Sequence, residues 1–410
     1  MSEGVMSEGV MSNRMTIIRI AAKGDGVTAD GVHVPMAAPG DVLLDDGSLE
    51  HGPHHVLPPC KHFGTCGACQ LQHCDEVTLG EFVHNRVVYA AQSQGLEPEK
   101  VDVPAMSPPR SRRRASLRAI NGGGRPLIGF TQAGSHKVVD MRECHVLHPS
   151  LFALVQPLRD YLAQLKGRYA IGIEMTLVDQ GVDLNISGFA PEGLEQTETL
   201  LDFCRDHGLA RMTLDHGYGA EGFWEPEPAT VTLGGVPVAF PPGAFLQATD
   251  HGEATLVGAA RDWLQECDRV ADLFAGLGTF ALAMAGQSQV VAAEADVAAI
   301  NALRIVANRA RLPVECAHRD LFRNPLRTEE FAGFDGVILD PPRAGARSQV
   351  EQIAASGVKR VVYISCNPSS WARDAVQLKD AGYRLAQLRP VGQFRWSTHV
   401  ELASLFILQD

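Results

Sequence analysis

Two apolar runs in the last third of the chain each end on residues that could do chemistry. Residues 336–339 are followed by Asp340-Pro341-Pro342-Arg343, and residues 360–365 by Cys366-Asn367-Pro368. Continuous apolar, β-branched runs that stop at proline are typical of buried parallel strands. Because ligands of such sheets lie beyond the carboxyl ends of the strands, we expect Asp340 and Cys366 to line one site.

Cys366 is a candidate nucleophile. The residues after it, WARDAVQLKDAGY, predict a helix capped by Ser369 or Ser370 and ended by Gly382. A free cysteine has a pKa of ~8.5, and a nearby helix N-terminus increases its thiolate fraction. A cysteine at the end of an apolar strand can also be simple core filler, so the alternative is a structural thiol.

A base for the same site could come from His399-Val400-Glu401. If these residues form a strand, alternation places His399 and Glu401 on one face, about 7 Å apart. Either side chain could remove a proton, and the reference pKa of ~6.5 of histidine favours His399.

The elements that must position these residues form an α/β unit. Residues 269–274 predict a strand, Ala275-Gly276-Leu277-Gly278 a glycine turn, and Thr279 the start of a helix. A second strand, QVVAAEAD, brings Glu294 to its carboxyl end, where an acid can hold ribose hydroxyls. NAD and S-adenosylmethionine both offer such a ribose, so this pattern leaves the cofactor open.

A separate cysteine group suggests metal chemistry. Cys60, Cys66 and Cys69 have the spacing C-x5-C-x2-C, with Cys74 close behind and Cys144 further along. Three thiolates from one loop and a fourth from elsewhere are common around iron-sulfur clusters, whereas structural zinc prefers two C-x2-C knuckles. The spacing favours a cluster, with zinc and unligated thiols as alternatives.

A basic run lies in the middle of the chain. Residues 108–118 read PPRSRRRASLR, and arginine suits bidentate phosphate contacts. We interpret the run as an RNA contact; the alternative is a solvated basic loop.

The chain divides into four predicted segments. Residues 1–14 are predicted to be a disordered tail, and residues 15–50, with short strands between glycine turns, a small β-barrel. Residues 51–235 form a β-rich central domain with the cysteines and the basic run. Residues 236–410 form the doubly wound Rossmann-like α/β domain.

Composition excludes several classes. With 410 residues, 45% of them hydrophobic, the chain can bury a sizeable core, and no apolar run approaches the ~20 residues of a membrane span. The net charge of -12 means that any RNA is held by a local basic face. We expect a cytoplasmic protein, without a membrane partner and monomeric.

Several motifs together resemble the RNA uracil-5-methyltransferase family. These are DPPRAG, VVYISCNPS, FRWSTHVE, FLQAT, DLFAGLGTF and CKHFGTCGACQLQH. The last is similar to the 4Fe-4S loop of the ribosomal-RNA members, and the N-terminal strands resemble a TRAM domain. The resemblance implies that S-adenosylmethionine methylates carbon 5 of a uridine, in ribosomal RNA rather than tRNA, through a covalent Cys366 adduct.

The resemblance also implies residue roles. It makes Cys366 the nucleophile, moves the base from His399 to Glu401, and gives the 4Fe-4S cluster the ligands Cys60, Cys66, Cys69 and Cys144. The implied cofactor contacts are Gln247, Phe274, Thr279, Glu294, Asp320 and Asp340, beside Gly276 and Gly278 of the glycine turn.

The sequence departs from the family pattern at five positions. The family usually has asparagine at Thr249 and Thr279, threonine at Ser370, aspartate at Gly392 and proline at Arg395. Two functions of other classes stay open: an NAD-dependent oxidoreductase, and an RNA-binding protein that keeps the fold without catalysis.

Overall fold

The structure is a computed structural model that describes residues 14–409. The predicted disordered tail therefore lies outside the described residues, apart from Arg14. No helix within residues 14–409 combines the length and the apolar character that crossing a membrane requires.

The N-terminal segment is a five-stranded antiparallel sheet in the order β3-β2-β1-β4-β5. Its irregular register between Ile17 and Arg19 bends the first strand, and Ile17, Val34 and Ala37 fill its small core. This confirms the predicted small barrel. The strands are β1 (Met15–Ile20), β2 (Gly26–Thr28), β3 (His33–Val34), β4 (Val42–Leu43) and β5 (Leu49–Glu50).

A long helix and two short strands follow. The helix begins at Asp75, whose carboxylate accepts a hydrogen bond from the Thr78 amide at 2.8 Å. The elements are α1 (Glu76–Ser93), β6 (Lys100–Val101) and β7 (Ala105–Met106). Both strands pair in parallel with a strand near the end of the chain, so this segment belongs to the last sheet.

The middle of the chain forms a six-stranded sheet in the order β13-β12-β11-β10-β8-β9. Its apolar face packs against three helices around Leu158, Leu184 and Leu200. The elements are β8 (Arg114–Asn121), β9 (Leu127–Gly129), α2 (Pro149–Ala153), α3 (Val155–Leu162), β10 (Tyr169–Val178), β11 (Gly181–Ser187), α4 (Gly193–Asp206), β12 (Leu209–Asp215) and β13 (Ala220–Trp224).

A hairpin and a doubly wound unit complete the chain. The hairpin is β14 (Thr230–Leu233) and β15 (Val236–Ala239); its turn glycines, Gly234 and Gly235, both have positive φ. The other elements are α5 (Asp250–Trp263), β16 (Arg269–Leu273), α6 (Thr279–Met284), β17 (Gln289–Glu294), α7 (Val297–Ala310), β18 (Val314–His318), a 3-10 helix (Thr328–Phe331), β19 (Gly336–Leu339), α8 (Arg347–Ser356), β20 (Arg360–Ser365), α9 (Pro368–Asp380), β21 (Tyr383–Gly392) and β22 (Glu401–Leu408).

The last sheet has the order β18-β17-β16-β19-β20-β22-β21-β6, and β7 also pairs with β21. Five strands, from β18 to β20, run in parallel, and β22 is inserted antiparallel between β20 and β21. Helices α1, α8 and α9 cover one face, and α5, α6 and α7 cover the other. This confirms the predicted doubly wound fold, with a strand-order switch between β16 and β19.

Sheet pairing crosses the predicted domain limits of 51–235 and 236–410. Strands β6 and β7 extend the C-terminal sheet, and the hairpin of β14 and β15 packs against α6 and α7. The C-terminal unit is therefore completed by residues from the predicted central domain.

Candidate active site

The loop tips after β19 and β20 are held together by hydrogen bonds. The Arg343 carbonyl accepts one from Asn367 Nδ2 at 3.0 Å and one from Ser370 Oγ at 2.9 Å. Ser370 stands where the family usually has threonine, and its hydroxyl still makes this contact. The link fixes the Asp-Pro-Pro-Arg tip against the Cys366 tip.

Helix α9 begins differently from the prediction. Its cap is Asn367, whose side chain accepts a hydrogen bond from the Ser369 amide at 3.2 Å. The predicted caps, Ser369 and Ser370, lie inside the first turn. Pro368 explains the shift, because its fixed φ suits the first helical position. Cys366 thus immediately precedes the cap.

One cavity of about 680 Å³ collects the predicted catalytic and cofactor residues at the switch point of the sheet. Gly278 and the alternative base His399 do not line it. For Gly278 the reason is local. Gly278 has a φ of 90°, and a Cβ atom at this position would lie only 2.4 Å from Leu303 Cδ1. Glycine is therefore needed here for the turn into α6 rather than for contact with a ligand. The predicted residues in the lining are Gln247, Phe274, Gly276, Thr279, Glu294, Asp320, Asp340, Cys366 and Glu401.

Glu401 is buried at the start of β22 and is aimed at this cavity. Its side chain accepts a hydrogen bond from Gln393, while Oε2 has no partner among the described residues. Burial raises the pKa of Glu401 to about 7, although Gln393, Arg114 and Arg343 oppose the shift. A carboxylate with a pKa near neutrality can take up and release a proton at physiological pH.

His399 does not share a strand face with Glu401, so that expectation is wrong. Strand β22 begins only at Glu401, because residues 394–400 turn back across the carboxyl edge of the sheet. His399 Nδ1 lies 3.1 Å from Arg343 Nη2. Burial, followed by the charge of Arg343, lowers the pKa of His399. The ring therefore accepts a hydrogen bond from arginine and stays neutral.

Two buried glutamines, Gln393 and Gln247, connect the surroundings of Glu401 to Asp340. Gln393 Nε2 donates to Gln247 Oε1 at 2.9 Å, and Gln247 Nε2 donates to Asp340 Oδ2 at 3.1 Å. Sequence reasoning missed Gln393, since only the pairing of β21 with β22 brings it beside Glu401. Its one sequence signal is a polar residue directly after an apolar strand.

The Cys366 thiol lies between opposing charges. Burial raises its pKa, the Glu401 and Asp340 carboxylates raise it further, and Arg343 lowers it. The increase in thiolate fraction expected from the nearby helix N-terminus is therefore opposed at this site by burial and by two carboxylates. Arg343 is the cation that can stabilise the thiolate.

The other end of the cavity has aromatic and acidic walls. Phe274 has a φ of 65°, and its ring centroid lies 5.3 Å from that of Phe322. A strained backbone of this kind is common at ligand sites. Glu294 Oε2 accepts a hydrogen bond from the Gly276 amide at 2.9 Å, which fixes the glycine turn against β17.

Below this wall, Asp272 is fully buried in β16. It accepts a hydrogen bond from the Ala281 amide at 2.8 Å, which ties the start of α6 to the strand. Burial raises the pKa of Asp272 to about 7.

The basic run is not a continuous exposed RNA surface, which corrects its interpretation. Arg113 is buried and forms ion pairs with Asp250 and Glu253. Arg112 and Arg114 line the cavity instead, and the Arg114 guanidinium lies 4.7 Å from the centroid of the Phe245 ring. Neighbouring side chains in extended backbone point in opposite directions. The number of arginines along the sequence therefore exceeds the number exposed together on one face of the protein.

The four predicted cluster cysteines surround a second, small cavity, also lined by Phe63, Phe130 and Met141. Burial raises the pKa of each thiol, and that of Cys69 reaches about 12. Cys74 does not line this cavity and pairs instead with His55 through a β-bridge. Within residues 14–409, no three His, Cys, Asp or Glu residues form a group suited to one metal ion.

Three more of the family departures have local contacts that account for them. A Cβ at Gly392 would lie 2.4 Å from the Met106 sulfur, so aspartate does not fit there without a shift of Met106. Arg395 is buried, donates to the Ser107 carbonyl at 3.0 Å and pairs with Glu76. Thr249 caps α5 by accepting a hydrogen bond from the Gly252 amide at 2.9 Å.

Comparison with known proteins decides the family. Residues 239–409 match the model of the tRNA (uracil-5-)-methyltransferase family. An RNA methyltransferase of Zymomonas mobilis is 47% identical over 95% of this chain and 98% of its own length. The 23S rRNA (uracil(1939)-C(5))-methyltransferase RlmD of Pectobacterium atrosepticum is 35% identical, over 88% of this chain and 82% of its own. The chain belongs to the RNA uracil-5-methyltransferase family.

A solved structure agrees with the fold of this methyltransferase. The Pyrococcus abyssi tRNA (uracil-54, C5)-methyltransferase, in complex with S-adenosyl-L-homocysteine, has a TM-score of 0.74, covering 96% of this chain and 100% of its own at 23% identity. Membership of the methyltransferase family leaves no support for the NAD-dependent oxidoreductase alternative.

Proposed function

We propose that this methyltransferase transfers a methyl group from S-adenosylmethionine to carbon 5 of one uridine in RNA, through a covalent adduct with Cys366. The observation that carries the proposal is the shared cavity, in which Cys366, Asp340 and a buried, incompletely hydrogen-bonded Glu401 face the residues expected to hold the cofactor. We further propose a cytoplasmic monomer.

The chain's residues fit this cofactor. Phe274 and Phe322 offer a flat apolar wall for an adenine ring, and Glu294 offers a carboxylate for ribose hydroxyls. We assign Gln247, Gly276, Thr279, Asp320 and Asp340 to the same site. The bound cofactor supplies an electrophilic methyl group.

The residues of the chain do the remaining chemistry. Carbon 5 of uracil is a weak nucleophile, so the Cys366 thiolate first forms a bond to carbon 6, which moves electron density to carbon 5. After carbon 5 is methylated, the Glu401 carboxylate removes its proton, and the carbon-sulfur bond breaks to release the thiolate. Arg343 stabilises the thiolate at both ends of this cycle.

The target uridine must leave any helix to reach Cys366. We propose ribosomal RNA as the substrate, because the Pectobacterium relative named for 23S rRNA matches across the cysteine-bearing part of the chain as well. The matching family model is named for tRNA but covers residues 239–409 alone, so it carries no argument about the N-terminal parts.

We also propose a 4Fe-4S cluster at Cys60, Cys66, Cys69 and Cys144. The fit rests on four thiols around one largely apolar cavity. A four-iron cluster takes one cysteine per iron, which is the number of thiols that line this cavity. Positive iron charge would offset the burial that disfavours these thiolates.

A methylation assay tests the proposal. The full-length protein is incubated with labelled S-adenosylmethionine and bulk RNA from cells that lack 5-methyluridine, and the nucleosides are then analysed by mass spectrometry. We expect 5-methyluridine at one position of ribosomal RNA. RNA binding without methyl transfer would instead support the non-catalytic alternative.

A further inference from the structure

A groove of about 350 Å³ lies between the N-terminal barrel and α1, outside the catalytic cavity. We call it the α1 groove; it is lined by Ile18 and Arg19 of β1, by Arg86 and Tyr89 of α1, and by Ser369 of α9. Because Ser369 is three residues from Cys366, the α1 groove adjoins the loop tip that carries the thiol.

Arg86 is a cation without a partner in this groove. It forms no ion pair among residues 14–409, and its Nε atom is buried without a hydrogen-bond acceptor. Burial lowers the pKa of Arg86. Leaving a desolvated guanidinium unpaired costs free energy, and this cost is offset when an anion binds.

Further arginines without ion-pair partners lie between the α1 groove and Cys366. Arg343 Nη2 lies 3.1 Å from His399 Nδ1, and the Arg112 guanidinium lies 5.7 Å from the centroid of the Phe394 ring, which is 6.0 Å from that of His399. The charge of Arg86 also lowers the pKa of His399, after those of Arg343 and Arg112. None of the three forms an ion pair within the described part of the chain. The protein has 48 acidic and 36 basic residues, so unpaired arginines at one place are not explained by a shortage of carboxylates.

One exposed aromatic and one exposed aliphatic side chain accompany these cations. Tyr89 is 58% exposed and Ile18 57% exposed, and both line the α1 groove. Aromatic side chains next to cations are the combination that single-stranded nucleic acids bind, with bases on the rings and phosphates on the guanidinium groups. The carboxylate of Glu81 also lines the groove, within electrostatic range of His54.

We propose that the α1 groove binds the nucleotides adjacent to the methylated uridine, with Arg86 on a phosphate and Tyr89 against a base. The three unpaired arginines then form a track for the RNA backbone from the catalytic cavity to the groove. This inference rests on the proposed function, because it takes RNA as the substrate.

Affinity for a simple probe tests the groove. A fluorescein-labelled oligouridylate of about ten nucleotides is titrated into full-length protein at several salt concentrations. For Arg86→Gln we expect about tenfold weaker binding and a salt slope smaller by about 0.7, the value for one lost contact to single-stranded phosphate. Arg86→Lys should keep most of the slope. Arg205→Gln, which removes the same charge from the exposed face of α4, is the matched control and should change neither quantity.

Crosslinking locates the contact independently of the stability of any variant. The same probe with 4-thiouridine is irradiated on wild-type protein, and we expect crosslinked peptides from Glu76–Ser93, with Tyr89→Ala reducing their yield several-fold. Crosslinks confined to other elements, or an unchanged salt slope in folded Arg86→Gln, would overturn the proposal. Those results would not affect the proposed function if the wild type still transfers methyl groups. Conversely, RNA binding that depends on Arg86, without any methyl transfer, would support the groove and contradict the proposed function.

Discussion

The catalytic cavity and the cysteine cavity both place thiols in buried surroundings, yet their electrostatics differ. Burial raises the pKa of Cys69 to about 12, and its charged neighbours are mainly other thiols. Cys366 instead faces two carboxylates and one arginine, which shift its pKa in opposite directions. A thiol among thiols is suited to holding a positively charged group permanently, whereas a thiol among opposing charges can form and break a bond.

The two cavities are also encoded differently. Three of the four cysteines come from one loop, residues 60–69, whereas the predicted catalytic and cofactor residues in the larger cavity come from seven separate segments between Gln247 and Glu401. The catalytic cavity therefore depends on the whole C-terminal sheet, and local damage to the cysteine loop can be separated from damage to catalysis.

The largest expected effect is that of Cys366→Ala. We predict loss of methyl transfer to below detection, since Cys366 is the one cysteine among residues 14–409 that lines this cavity, with iron content and S-adenosylhomocysteine binding retained. A radiolabel transfer assay, with metal analysis and calorimetry on the same sample, checks all three. Turnover like that of the wild type would exclude the covalent mechanism.

Glu401→Gln should reduce turnover by about 10²–10⁴-fold, the usual contribution of a general base. Addition of Cys366 does not need this base, so we expect covalent protein-RNA to accumulate as a band that survives denaturing electrophoresis. The matched control is His399→Gln, which should not trap the adduct. If His399→Gln accumulates the covalent adduct and Glu401→Gln turns over normally, then His399 and not Glu401 is the base.

The cysteine cavity gives a smaller, separable effect. Cys144→Ser should lose the iron, while Cys74→Ser should keep about four iron and four sulfide per chain after anaerobic purification. Cys144, which is half-buried, lines the cavity, whereas Cys74, which is buried, does not. One zinc per chain without iron would contradict the cluster, and the opposite pattern in the two variants would reassign the fourth ligand.

The smallest effect is on stability. Because the pKa of Glu401 is about 7 in the folded protein and 4.5 ordinarily, its protonated form stabilises the fold below pH 4.5, and this stabilisation is lost as pH rises through 7. Glu401→Gln removes the ionisation, so it should be more stable than wild type at pH 8, by on the order of 1–3 kcal/mol, and similar at pH 5. Thermal unfolding at both pH values measures this difference. Glu315→Gln, at an exposed position of β18, is the control variant. The same difference between Glu401→Gln and wild type at both pH values would contradict the raised pKa of Glu401.

Local patterns predicted the elements of the sheet well. Strands β19 and β20 have the predicted bounds, because apolar runs that end at Asp-Pro and Asn-Pro leave little freedom in where a strand stops. Glu294 likewise lies at the end of β17 as predicted. The structure then brings all of the catalytic and cofactor residues implied by the resemblance, except Gly278, into one cavity.

Long-range pairing was not predictable from the same patterns. Nothing local shows that β6 and β7 join a sheet almost three hundred residues later in the chain, or that Gln393 lies beside Glu401. Arg113 also looked like its neighbours in the basic run, and only the position of α5 supplies the Asp250 and Glu253 partners that bury it. The exposure of a charged side chain is therefore hard to predict from sequence when distant residues supply its ion-pair partners.

The most direct test of covalent uridine methylation uses RNA in which 5-fluorouridine replaces uridine. Fluorine takes the place of the proton that Glu401 must remove, so methylation can proceed but release of Cys366 cannot. We predict a stable complex of one protein and one RNA with wild type, carrying the transferred methyl group, and no complex with Cys366→Ala. Methylation of ordinary RNA with no trapped complex on the fluorinated RNA would contradict the account.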